Sequence, residues 1–213
     1  VDYYNGEVTY TVTIQEKNLQ TAELTYTLEG ETAVQEVAIA VDPEDSTKYT
    51  GTFTLADGQV LTGMTLNVGD KAGWDAICTG DNMSQNEGGA WSYNGNTVVV
   101  DETDPKVTVT KTGTLSNTYN GVDYYDNEVT YTIQVTDQFM EGLTPVAEVT
   151  YLDGDEPVAI EVALDGGDAN TKLSESETYK GELKLEDGAA ITSITIQAVD
   201  NAGRAAQTVT AAG

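Results

Sequence analysis

Apolar residues recur at every second position along most of this chain, in short runs set apart by glycine, proline and acidic turns. In EVTYTVTI, Val8, Tyr10, Val12 and Ile14 fall on one face and Thr9, Thr11 and Thr13 on the other. That is the period of a half-buried strand, and threonine tolerates both the pleat and water. The polar run EKNLQTAE is compatible with a short helical turn. Leu24, Tyr26 and Leu28 then alternate again, up to a Glu29-Gly30-Glu31 turn. Val37, Ile39 and Val41 predict one strand, closed by Asp42-Pro43, and Tyr49, Gly51, Phe53 and Leu55 predict the next. The Asp57-Gly58 pair predicts a tight hairpin turn into a strand over 61–68.

The pattern occurs twice. VDYYNGEVTYTVTI at Val1 returns as VDYYDNEVTYTIQV at Val122, 121 residues later, and YTGTFTLADG at Tyr49 returns as YKGELKLEDG at Tyr179, 130 residues later. The nine extra residues of the second copy fit best in DGGDANTKLSESE, where a surface loop absorbs them without disturbing the flanking phase. In the second copy the alternation predicts seven strands, over 106–111, 128–136, 146–153, 157–164, 179–185, 191–199 and 204–210. Seven short antiparallel strands with frequent turn signals predict an all-β chain of two tandem immunoglobulin-like antiparallel β-sandwich domains, 1–104 and 105–213, with a barrel as the other option. The first copy has no counterpart of the opening strand, so the edge it would cover is either lost or covered otherwise.

Charge narrows the partners. Nine basic residues stand against 36 acidic ones, a net charge of −27 with no histidine. Such a surface repels nucleic-acid phosphates and anionic lipid, and suits divalent cations or a basic partner. The one cysteine, Cys78, excludes a disulfide within the chain. No apolar run is long enough to span a bilayer, and no leader or sorting motif is evident. The chain is expected to be a piece of a longer protein whose addressing signals lie outside it.

VDETDPKVTVT at the junction, the YY-x-x-x-V-T-Y-T strand and the D-[KN]-A-G turn together resemble tandem bacterial immunoglobulin-like domains of Gram-positive, gut-type cell-surface proteins and adhesins. The likeness covers nearly the whole chain, with one departure: Asp104 precedes the junction proline where a small residue is usual. The resemblance implies extracellular display on a bacterial cell, as stalk or binding module, and no catalytic site. It also brings in the lysine–asparagine isopeptide bond of some such domains. Lys106 and Lys111 lie in the second copy's opening strand, but its last strand, RAAQTVT, has no asparagine, so none is expected.

Without histidine, Ser-His-Asp, Cys-His and His-bearing zinc sites are excluded. Among so many carboxylates no pair stands out as a catalytic dyad, and the chain is read as non-enzymatic. Gly88-Gly89 and Gly166-Gly167 lack the strand-to-helix setting of a phosphate loop. Calcium is the better chemistry: Asp101, Glu102 and Asp104 offer hard oxygen ligands at the linker, and Asp165, Asp168 and Asn170 a second, less complete set. Solvated acidic loops explain both equally simply.

The copies differ most after the D-[KN]-A-G turn, where the first inserts WDAICTGDNMSQNEGGAWSYNGN as a loop over 74–96. It holds Trp74, Ile77, Cys78, Met83, Trp91 and Tyr93. The corresponding loop of immunoglobulin sandwiches is used for recognition, and Trp74, Met83, Trp91 and Tyr93 are the candidate anchors for a host protein, an immunoglobulin among them, or a glycan. Long loops also need internal packing, so these side chains folding onto their own domain is the competing reading. A passive stalk, or an accessory module of a secreted glycan-degrading enzyme, are the alternatives to an adhesion module.

Overall fold

The computed structural model describes residues 1–73, 82–87, 89–120, 122–140, 142–167, 172, 173 and 175–206. Among them the chain is all-β, without a helix, and divides into two units, Val1–Glu102 and Thr103–Gly213.

The first unit contains β1 (Asp2–Tyr4), β2 (Val8–Gln15), β3 (Leu19–Leu28), β4 (Gln35–Val37), β5 (Ile39–Val41), β6 (Lys48–Leu55), β7 (Val60–Asp70), β8 (Met83–Gln85), β9 (Trp91–Tyr93) and β10 (Val98–Val100). One sheet runs β2-β6-β5 and the other β1-β10-β7-β3-β4, with a β8-β9 hairpin paired onto β7. All pairs are antiparallel except β1 with β10, where Asp2 faces Val98 and Tyr4 faces Val100. Leu24, Leu28, Phe53, Leu55, Leu61 and Leu66 fill a core to which both sheets contribute. Within it Tyr26 stacks on Phe53 at 4.1 Å, and Phe53 on Tyr10 at 5.1 Å. These offset aromatic contacts add to the area they bury.

The second unit contains β11 (Lys106–Thr112), β12 (Leu115–Tyr119), β13 (Val122–Tyr125), β14 (Val129–Asp137), β15 (Val146–Asp153), β16 (Glu156–Ala163), β17 (Asp165–Gly166), β18 (Glu177–Leu185) and β19 (Ala189–Gln197). Its sheets are β11-β14-β18-β17 and β16-β15-β19, and β12-β13 forms a hairpin of its own. Ile133 and Val135 of β14 meet Ala147 and Val149 of β15 and Ile194 and Ile196 of β19 in one core. The inward phase is strict: Val129, Tyr131, Ile133, Val135 and Asp137 are all buried, and each intervening residue of β14 is partly exposed.

Three expectations change. EKNLQTAE holds no helical turn; β3 already begins at Leu19, because pairing with β7 satisfies its backbone. The alternating run 37–41 is two strands, not one. β4 pairs with β3 and β5 with β6, so the chain changes sheet at Ala38. Asp57-Gly58 does make a turn, with Gly58 at φ +76° and the Gln59 amide donating to the Ala56 carbonyl at 3.1 Å. It joins β6 to β7, which lie in different sheets, so it is a corner between sheets and no hairpin. The seventh predicted strand, 204–210, lies largely outside the described residues; within them Ala205 bridges to Val199.

Gly51 and Gly181 occupy the same place in the two copies, yet they are not equally constrained. A Cβ on Gly181 would stand 2.6 Å from the Ala163 carbonyl oxygen and 2.6 Å from Leu164 Cδ2. On Gly51 the nearest atom would be Ile39 Cγ1, at 3.0 Å, a side chain able to yield. Gly181→Ala should therefore destabilise the second unit by about 1–3 kcal/mol, and Gly51→Ala the first by clearly less, as read from urea unfolding.

Candidate functional site

The inward phase of two strands ends on acid. β14 delivers Asp137 to the interior after Val135, and beyond β19 the same alternation runs Ile194, Ile196, Ala198, Asp200. Asp137 is 6% exposed and Asp200 is 4% exposed. A carboxylate oxygen of one lies within 4.8 Å of a carboxylate oxygen of the other.

Local hydrogen bonds hold each side chain by one oxygen. Asp137 Oδ1 accepts the amides of Gln138, at 2.5 Å, and Phe139, at 3.3 Å. Asp200 Oδ1 accepts the Arg204 amide at 2.8 Å, closing the D-N-A-G turn, while the Gly203 amide donates to the Asp200 carbonyl at 3.1 Å. The Asn201 amide donates to the Phe139 carbonyl at 2.9 Å and ties the two segments together. Across from Asp137, Glu177 begins β18, and the Tyr179 hydroxyl reaches both Glu177 Oε2, at 2.7 Å, and the Met140 carbonyl, at 2.9 Å. The second oxygens differ: Asp137 Oδ2 and Asp200 Oδ2 are buried with no hydrogen-bond partner.

Burial pushes the Asp137 carboxyl above its ordinary pKa of 3.8. The two amides oppose the rise, and the charges of Asp200 and Asp104 add to it. Burial raises Asp200 too, against its turn amides and the positive charge of Arg204. Arg204 is also engaged with Asp104, its Nε donating to Asp104 Oδ1 at 2.9 Å. One guanidinium thus stands near two carboxylates, Asp104 and Asp200. Two buried carboxylates this close, each with an unpartnered oxygen, are a donor set for a hard cation; protonation is the other way to relieve them.

Of the linker acids expected to bind calcium, Asp101 is buried at the end of the first unit, its amide donating to the Tyr4 carbonyl at 2.9 Å. Glu102 is exposed, and its amide donates to Asp57 Oδ1 at 2.6 Å. Asp104 belongs to the second unit, beside Arg204. In the second calcium candidate, Asp165 is exposed in β17, and Asp168 and Asn170 lie outside the described residues. Asp137 and Asp200 did not figure among the expected ligands. Their signal was parity: each continues an inward-facing run.

In the inserted loop, Trp74 and Cys78 lie outside the described residues. Met83 pairs with Tyr93 between β8 and β9, and Trp91 sits opposite Leu66 of β7. Met83, Trp91 and Tyr93 are all partly buried against the first unit's core. Tyr93 meets Tyr10 edge-on at 6.4 Å, and its hydroxyl donates to the Asn96 carbonyl at 3.1 Å. At the hairpin tip the Asn86 amide donates to the Ala90 carbonyl at 2.8 Å. The described part of the loop is a sheet extension whose apolar side chains face inward.

No family model and no curated protein matches this chain. Among solved structures, a leucine-rich repeat protein from Bacteroides thetaiotaomicron VPI-5482 is similar at 11% identity and a TM-score of 0.20. The alignment covers 96% of this chain and 24% of that one. A superposition so loose carries no argument about fold or function.

Two outcomes follow. Trp91→Ala should destabilise the first unit by about 1–3 kcal/mol in urea unfolding, the loss expected for a partly buried indole. The raised carboxyls set a pH dependence in chelator-treated protein. The unfolded chain ionises first, near pH 3.9, so the stability contributed by the protonated pair is full below that value. It is lost as pH rises through the raised folded values. As pH rises above about 4, melting of the second unit should fall more steeply in the parent chain than in an Asp137→Asn/Asp200→Asn variant, which keeps all the chain's other acids.

Proposed function

We propose that this chain is a non-enzymatic, calcium-binding pair of tandem immunoglobulin-like β-sandwich domains that serves as a stiff display segment of a bacterial cell-surface protein. The observation that carries the reading is the buried pair Asp137 and Asp200, each with an unpartnered Oδ2. Oxygen donors alone, with no histidine in the chain, favour a hard cation over zinc or copper. Calcium tolerates irregular coordination and is shed of its water more readily than magnesium, which suits a largely dehydrated pocket. Asp104, whose charge acts on Asp137 and which accepts from Arg204 Nε at 2.9 Å, is the exposed carboxylate that joins the proposal as a further ligand.

The sandwich architecture is supported by two antiparallel sheets contributing to one core in each unit. The surface-protein setting rests on the repeated motifs and on the −27 charge, which disfavours nucleic acid and anionic membrane. The inward packing of Met83, Trp91 and Tyr93 favours a spacer role over capture of a host protein or glycan by these side chains. Extracellular modules hold calcium with dissociation constants of about 10⁻⁴–10⁻³ M, enough to be filled outside a cell.

The test is thermal unfolding of the whole chain in calcium and in chelator. The second unit should melt higher in calcium, gaining about 2.7 kcal/mol when calcium is 100 times its dissociation constant, and should return to the lower value on chelation. Asp137→Asn/Asp200→Asn should melt higher than the parent in chelator and show no response to calcium. A parent chain indifferent to both additions contradicts the reading.

A further inference from the structure

The internal repeat gives each strand of one unit a reference in the other, and one strand fails the comparison. β14 is flanked on both sides, by β18 and by β11. Its counterpart β2 pairs with β6 along its whole length and, among the described residues, with nothing along its other edge. The side chains register the difference. Val129, Tyr131, Ile133 and Val135 of β14 are all buried, whereas Val8, Tyr10 and Val12 of β2 are only partly buried and Ile14 alone reaches 8% exposure. Sequence does not explain this, since the two strands carry nearly the same residues.

What covers β14 is known. Val107 and Val109 of β11 stand opposite Val135 and Ile133 and pack against the second unit's core. The positions of β2 that correspond to Val135 and Ile133 are Ile14 and Val12. We propose that the free edge of β2 is a strand-acceptor site, completed by the opening strand of another module of this repeat type. The incoming strand lies antiparallel to β2 in the register of β11 on β14, its alternate valines over Val12 and Ile14.

Three features commit the site to that occupant. The acceptor is an open ladder of backbone donors and acceptors, which an extended segment satisfies along its length. The half-exposed inward residues ask for apolar side chains at alternate positions, as in KVTVTKT, 106–112. That strand carries two lysines and no acid, and the first unit carries an excess of acid. The chain's own β11 does not supply the strand, because it is engaged with β14 over all seven of its residues.

A graft tests it. The sequence of 105–121 is placed ahead of Val1, so that the copied strand reaches β2 with the spacing it has ahead of Val122. Hydrogen exchange of the β2 amides and melting of the first unit are then followed in the full chain. The intact graft should slow alternate amides of β2 by at least about tenfold and raise the first unit's transition. A graft carrying Val107→Asp and Val109→Asp in the copied strand should do neither. No slowing with the intact graft overturns the proposal, as does equal slowing with both. A concentration-dependent dimer of the ungrafted chain with protected β2 amides overturns it too, because a second copy is then the occupant.

Discussion

A carboxylate withdrawn from water has to be protonated, fully hydrogen-bonded or matched by a cation, and at one end of the second unit two carboxylates face that requirement together. Each has one oxygen tied into the local turn and the other left dry. Leaving a buried carboxylate uncompensated costs several kcal/mol, a large share of the roughly 5–15 kcal/mol by which a domain is stable. The backbone ties around Phe139, Asn201 and Arg204, and the Tyr179 hydroxyl between Glu177 and Met140, fix the segments that carry these acids. The fold thus holds the acids in position regardless of what neutralises them. On the proposed reading, a bound cation would turn that arrangement from a liability into a clamp.

The first unit shows what the same frame does without this demand. Glu16 stands where the second unit has Asp137, and Asp70 where it has Asp200; both are only partly buried. Glu16 accepts the Asn18 amide at 2.7 Å and Asp70 the Ala72 amide at 2.9 Å, so each is served by its own turn. The repeated VDYY phrase diverges as well. In the first unit it forms β1, parallel to β10; in the second it forms β13, paired with β12 in a separate hairpin. Tyr4 and Tyr124 are exposed in these settings, so shared sequence here does not mean shared packing.

Strand positions were legible because a two-residue period is a direct record of which face is buried: 146–153 is read from sequence as it stands in the structure. Sheet membership was not legible. Residues 37–41 alternate without interruption, yet cross from one sheet to the other at Ala38, since nothing in the period tells which neighbour a strand pairs with. The buried acids were legible in principle. Asp137 and Asp200 fall on the inward parity of their runs, whereas closeness in sequence singles out the linker acids instead. The aromatic residues of the inserted loop resemble contact residues in composition; only the pairing of β9 with β7 turns Trp91 toward the core.

The central claim is that Asp137 and Asp200 hold a cation. Calorimetric titration of calcium into the chelator-stripped chain addresses it most directly, with the Asp137→Asn/Asp200→Asn variant alongside. The account predicts a saturable site in the parent chain that is absent from the variant. Equal calcium uptake by both, or none by the parent, contradicts it.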